Sequence, residues 1–200
     1  MLAHRMFSII IVAAVFVATS SSILAKPTTY HVRAEDSNIG FTIYKWVVFK
    51  EEGRFRDYSG SITYDAGQPS ATAVDFSIKT GSVDSRNGDR DGAIKSPDLL
   101  HSARYPLMTF KSTSARSGGK DTLLVTGDFT IRDITKRITV PVRILGTTKV
   151  GDIGELIGFE TTFTIDRNDY GIAPGMTMIG NEVTIHMMIG AASGGASARR

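Results

Sequence analysis

No cysteine occurs among the 200 residues, which excludes disulfides, thiol chemistry and a lipid carried on Cys. A mature chain of about 175 residues buries enough core as one domain without covalent staples. An excess of one charge is missing too. Arg5, Arg199 and Arg200 lie at the two extremities, so the body carries 20 basic residues against 20 acidic ones. With no concentrated basic stretch, nucleic acid is excluded as a partner. His4, His31, His101 and His186 stand in no metal-ligand spacing, so no metal is expected. There is no Gly-x-Ser-x-Gly elbow and no Gly-rich phosphate loop between a strand and a helix. Asp84, Asp89 and Asp91 lack the regular spacing and terminal Glu of a calcium loop. Neither catalysis nor a cofactor is therefore expected.

Sustained helical spacing is also scarce after the first two dozen residues. A period of two takes its place. In LLVTGDFTIRDITKRITVPVRI, Leu123, Val125, Phe129 and Ile131 share one face, with Gly127 among them; after a short turn, Ile138, Val140, Val142 and Ile144 repeat the pattern. Such alternation describes a hairpin with one apolar and one polar surface. It recurs at Phe41 and Ile43, at Val74, Phe76 and Ile78, at Phe159, Phe163 and Ile165, and at Val183, Ile185, Met187 and Ile189. Gly, Pro, Asp and Ser punctuate these runs at the intervals of an all-β fold, and the reading is an antiparallel sheet closed on itself.

His4 and Arg5 precede an apolar stretch from Phe7 to Ala18, followed by Thr19 to Ser22 and then Ile23, Leu24 and Ala25. This predicts a secretory signal peptide over 1–25, cleaved after Ala25, with an uncleaved membrane anchor as the alternative. Gly, Ala and Ser ending in two Arg predict a disordered tail over 191–200.

A barrel of about eight strands is packed by its own side chains or holds one slender ligand. The inward set comprises Phe41, Ile43, Phe55, Ile62, Val74, Phe76, Ile78, Met108, Phe110, Val125, Phe129, Val140, Val142, Phe159, Phe163, Val183, Ile185 and Met187. Gly60, Gly127 and Thr161 interrupt it, either as bends of the sheet or as room for a ligand. An outer-membrane barrel would turn this face to lipid and pack Asp75, Lys79, Arg137, Arg143 and Glu160 into a narrow lumen. The charges, and an ending without an aromatic strand, argue against that arrangement.

Three segments carry a resemblance. SVDSRNGDRDGAIKSPDLLHSARYPLMTFKS holds an Arg-Asp pair, a Ser-x-Asp before a hydrophobic pair and a Tyr-Pro before a strand; TGDFTIRDITKRITVPV forms a hairpin; IDRNDYGI and GNEVTI follow. Together they resemble the YceI family over Tyr30 to about Ala191. The resemblance implies an exported, lipocalin-like eight-stranded antiparallel barrel over 26–190, holding polyisoprenoid or other long amphiphilic molecules. Four positions depart from the family pattern. Tyr30 stands for a Trp, Lys45 for a His, Asp133 for a turn Gly, and Leu99 with Leu100 for a Phe pair. Leu keeps an apolar lid, whereas Lys45 puts a permanent cation where a titratable ring is usual.

Ser82 to Pro106 is the longest interruption of the β pattern. Ser96 and Pro97 read as a helix start, giving a short helical lid in which Leu99 and Leu100 shield the interior. Arg90 and Asp91 tie this lid to the rim, as a structural charge pair or as part of the site. Arg167 receives a phosphate or carboxylate head group, or stabilises its turn. Lys45, beside Trp46, is the best candidate for a charged head-group contact, though a snorkelling lysine explains it equally well. The expected ligand-binding residues are Phe41, Ile43, Lys45, Phe55, Phe76, Ile78, Leu99, Met108, Phe110, Phe129, Val142, Phe159, Phe163, Arg167, Ile185 and Met187.

The expected function is sequestration or carriage of a long-chain isoprenoid or fatty-acyl amphiphile, in the periplasm or outside the cell. Transient membrane contact and a homodimer are left open. The alternatives are a lipid-modifying enzyme and a protein-interaction module presenting Trp46, Val48 and Phe49.

Overall fold

Alternating strands each leave one apolar face to be covered, and a sheet that curls until its edges meet covers all of them together. The computed structural model describes residues 26–173 and 176–194. Its strands are β1 (Thr28–Lys45), β2 (Phe49–Phe55), β3 (Tyr58–Tyr64), β4 (Ala73–Lys79), β5 (Val83–Asp84), β6 (Leu107–Gly119), β7 (Thr122–Ile131), β8 (Ile134–Val150), β9 (Gly154–Asp166) and β10 (Ile179–Ala192), with a helix α1 (Gly88–Lys95) between β5 and β6. All strand pairs are antiparallel. Neighbours run β10-β9-β8-β7-β6-β4-β3-β1, and β10 pairs back onto β1, closing an eight-stranded barrel. β1 is long enough to serve two neighbours on one side: Thr28 to His31 pair with β3 and Ile39 to Lys45 with β2. β5 extends the β2 edge.

β7 shows why the sequence closes this way. Its burial alternates without interruption from Thr122 to Ile131, and the hairpin to β8 turns through Arg132 and Asp133, with Ile131 opposite Ile134. The outward positions carry cross-strand polar pairs. Thr126 meets Thr139 at 2.8 Å and Thr130 meets Thr135 at 2.8 Å, while Arg137 forks onto Asp128 at 2.9 and 3.1 Å. Each such pair stabilises the sheet by about 0.2–1 kcal/mol. A wall built this way faces water, so the outer-membrane alternative does not apply.

One end of the barrel is sealed where β1 and β9 begin and β10 ends. Tyr30, Ile157 and Ala191 are buried there, and Tyr64 meets Phe159 edge-on at 6.1 Å. The Tyr30 hydroxyl donates to Glu155. Burial first, and this acceptor second, push the Tyr30 phenol up to about 12.

Two expectations are corrected. The chain does not leave the barrel at residue 191: β10 runs to Ala192, with Ala191 0% and Ala192 2% exposed. Both pair with β1 and β9, and Ser193 bonds the Glu155 backbone at 2.9 Å in both directions. Residues 195–200, like the signal peptide expected over 1–25, lie outside the described residues. The lid helix also starts earlier than expected. Asn87 is its cap and accepts from the Arg90 N–H at 2.9 Å, with Asp89 and Asp91 in the first turn, where the helix dipole favours them. Ser96 marks its end, and Pro97 blocks continuation.

Candidate functional site

The inward side chains do not fill the barrel. They enclose a cavity of about 520 Å³, within the range of roughly 300–1,000 Å³ for small-molecule sites. Phe41 and Ile43 of β1, Phe55 of β2, Phe76 and Ile78 of β4, and Met108 and Phe110 of β6 border it. So do Phe129 of β7, Val142 of β8, Phe159 and Phe163 of β9, and Ile185 and Met187 of β10; Lys45, Leu99 and Arg167 reach it from one end. Phe41 lies 5.7 Å from Phe55, and Phe129 meets Phe163 edge-on at 6.1 Å. Ile39, Ile131, Ile165 and Ile189 also line the cavity. Each extends an alternation already present, two residues from Phe41, Phe129, Phe163 and Met187, so the same pattern would have found them. Ile172, Met178 and Ile179 come from or adjoin an irregular segment without a period.

Gly53, Gly60 and Gly127 make room for neighbouring rings and not for a ligand, whereas Gly40 of β1 borders the cavity. A Cβ on Gly127 would lie 2.5 Å from Phe110 Cζ, and one on Gly60 would lie 2.7 Å from Phe76 Cδ2. Gly53 is similarly covered by Phe41. The aromatic wall is wide because three positions across from it lack a side chain.

α1 and the segment after it lie over the end opposite Tyr30, where Ile94, Leu99 and Leu100 border the cavity. Arg90 and Asp91 do hold this lid, but through separate partners. Arg90 bonds Glu51 of β2 at 2.8 Å. Asp91 accepts from the Ser85 hydroxyl at 2.6 Å and its N–H at 2.8 Å, and these bonds hold its carboxyl below the usual range. On the far side, the Tyr105 hydroxyl donates to Asp133 at 3.0 Å. Asp133 is thus an anchor for the lid segment.

Arg167 is corrected as a head-group ligand. It is 2% exposed, and its guanidinium is consumed by backbone. Nε donates to Gly180 O at 3.0 Å; Nη1 donates to Ile172 O and Ala173 O at 2.6 and 2.5 Å; Nη2 donates to Met176 O at 2.7 Å and Asn181 Oδ1 at 3.1 Å. An irregular segment leaves carbonyls without ladder partners, and one planar cation satisfies several of them. Lys45 is the reverse case: exposed, at the end of β1, bordering the mouth, and in no ion pair among the described residues.

The chain has known counterparts. The YceI-like domain family matches residues 30–191. A UPF0312 protein of Azotobacter vinelandii is 36% identical over 142 residues, covering 71% of this chain and 72% of the relative. Protein YceI of Escherichia coli is 34% identical over the same length and shares. Among solved structures, the Campylobacter jejuni YCEI protein aligns with a TM-score of 0.65 at 28% identity, covering 70% of this chain and 83% of that one. BcnA of Burkholderia cenocepacia shares the fold, with a TM-score of 0.73 at 20% identity over 80% of this chain and 98% of that one. A polyisoprenoid binding domain from Saccharophagus degradans does too, at 0.64 and 16% over 84% and 99%. With matched residues spanning nearly the whole barrel, the chain belongs to the YceI-like family.

Proposed function

We propose that this barrel is an exported carrier or store for a long-chain amphiphile, an isoprenoid such as a quinone or polyprenyl phosphate. The apolar tail lies among the Phe, Ile, Val and Met side chains and the polar end lies at the mouth beside Lys45. The observation that carries this reading is the hollow itself. It measures about 520 Å³, is lined almost wholly by apolar side chains and opens at one end, so an apolar chain entering it leaves water for a surface of its own kind. Burying ten methylene groups at about 0.8 kcal/mol each contributes roughly 8 kcal/mol gross, the scale of micromolar binding before ordering costs. The polyisoprenoid-binding domain sharing the fold adds support for the ligand class.

Binding without turnover fits the mouth, where Glu51 is engaged with Arg90 and Arg167 with backbone carbonyls. To test this, the chain is expressed in bacteria with its leader, purified from the periplasm, and extracted with organic solvent for mass spectrometry. A recurring isoprenoid or acyl lipid at near-stoichiometric amounts is expected. Protein that is repeatedly lipid-free and does not take up a fluorescent fatty acid overturns the reading.

A further inference from the structure

Tight hairpin tips ordinarily use Asn, Asp and Gly, which tolerate positive φ and face water. The tip between β1 and β2 reads Trp46-Val47-Val48 between the paired residues Lys45 and Phe49. Trp46 has φ 55° and Val47 φ 67°, a conformation that strains a β-branched residue. Trp46, Val47, Val48 and Phe49 are 57, 88, 70 and 63% exposed. Each of the four side chains is thus more than half exposed.

This tip adjoins the mouth. The Trp46 N–H donates to Met178 O at 3.0 Å, and the half-exposed Met178 borders the cavity. Of the ten large apolar side chains exposed among the described residues, Tyr44, Trp46, Val47, Val48, Phe49 and Met178 gather here. On β2, Glu52 is paired with Lys50 at 2.5 Å and Glu51 with Arg90. Lys45 adjoins the tip and Glu182 stands beside the Ile43–Val183 pair, both exposed and in no ion pair among the described residues, so Lys45 and Lys50 are the charges that flank the tip itself.

We propose that the β1–β2 tip inserts into the interface of an anionic lipid bilayer and seats the barrel mouth on the source of its ligand. Consecutive apolar side chains on a convex tip offer no flat face to a protein partner. A Trp flanked by lysine suits the headgroup boundary, and each lysine there gains from the negative surface potential. The purpose of this contact rests on the cavity reading above, while the contact itself is measured separately.

Trp46 is the sole tryptophan of the sequence, so its emission reports the tip directly. On titration with phosphatidylglycerol vesicles the emission moves to shorter wavelength, acyl-brominated lipid quenches it, and the protein sediments with the vesicles; phosphatidylcholine alone acts more weakly. Val47→Asp with Phe49→Asp, at positions that do not border the cavity, lowers partitioning about tenfold or more, the equivalent of one buried side chain, and leaves the affinity for a fluorescent fatty acid supplied in solution unchanged. Emission that ignores both vesicle types, as for a tip covered by a protein, overturns the proposal. Vesicle binding that survives the double variant also overturns it. Vesicle binding by a protein that yields no cavity lipid supports the tip and overturns the cavity reading.

Discussion

The ring of Phe110 occupies the space beside Gly127, where a Cβ would lie 2.5 Å from Phe110 Cζ and 2.6 Å from Lys111 O. One of these atoms is backbone and cannot swing aside. Gly127→Val therefore overpacks β6 against β7 and destabilises by about 1–3 kcal/mol, with Tm falling roughly 2–4 °C per kcal/mol in a domain of this size. Thermal unfolding checks this; an unchanged Tm contradicts the packing described.

Two phenylalanines in contact should respond differently to enlargement. Phe129 is 5% exposed and held between Phe163 at 6.1 Å and Tyr170 at 5.7 Å, whereas Phe163 is only partly buried on the cavity wall. Phe163→Trp extends into empty space and reduces uptake of a fluorescent fatty acid with little change in Tm. Phe129→Trp has no such space and lowers Tm first. Parallel titration and melting of the two variants separate these outcomes.

Most of this barrel can be read from alternation because a strand's side-chain period is two and each strand has one wet face. β7 is the clearest case, and the phase of its apolar residues places the cavity wall. β2 is less legible: Phe49-Lys-Glu-Glu-Gly-Arg-Phe55 has too few apolar residues to announce itself, since it covers only the second half of the β1 edge, beyond the point where β3 stops. α1 is obscured because Gly88 and Gly92 are poor helix formers, while Ser96-Pro97 at its end carries the stronger start signal. Arg167 differs from its sequence reading for another reason. Charge at a rim suggests a ligand, and nothing in the sequence says that the carbonyls of the following segment will claim every donor.

Arg167 therefore acts on stability and not on cargo. Arg167→Met leaves several buried carbonyls without donors, each costing about 1–3 kcal/mol. Hydrogen exchange at Ile172, Gly180 and Asn181 should accelerate and Tm should fall, even with ligand bound. A variant that melts normally but loses lipid would restore the head-group role.

Alkaline pH loosens both ends of the barrel, Tyr30 lying at the sealed end and Tyr170 on the turn with Arg167 at the mouth. Tyr30 is pushed up to about 12 by burial and then by its bond to Glu155, and Tyr170 to about 12 by burial and then by the Asp169 charge. Both are raised above the unfolded value of 10.0, so the contribution is complete below pH 10 and lost as pH rises toward 12, by up to roughly 2 kcal/mol per phenol. Urea midpoints between pH 9 and 11.5 should fall, and less so in Tyr30→Phe. Tyr170→Phe should also be neutral or stabilising at pH 7, because its buried hydroxyl has no partner among the described residues. Burial raises Tyr58 and Tyr64 as well, so some slope persists in the double variant.

Two of the lid's side-chain tethers hold opposite edges of it. Arg90 and Glu51, at 2.8 Å, keep 37% and 29% of their side chains exposed, which limits the pair to the modest energy of a partly solvated ion pair. Tyr105 and Asp133 hold the opposite side at 3.0 Å. Glu51→Gln keeps the side chain's size on β2 and removes only its charge, freeing one edge of α1, so a fluorescent fatty acid should dissociate about two to five times faster, the equivalent of 0.5–1 kcal/mol, at nearly constant Tm. Asp133→Gly removes the acceptor of the Tyr105 hydroxyl and releases the other edge. If the two edges hinge independently, the double variant multiplies the two accelerations; if lipid leaves by a path not covered by α1, stopped-flow dissociation is the same in all of them.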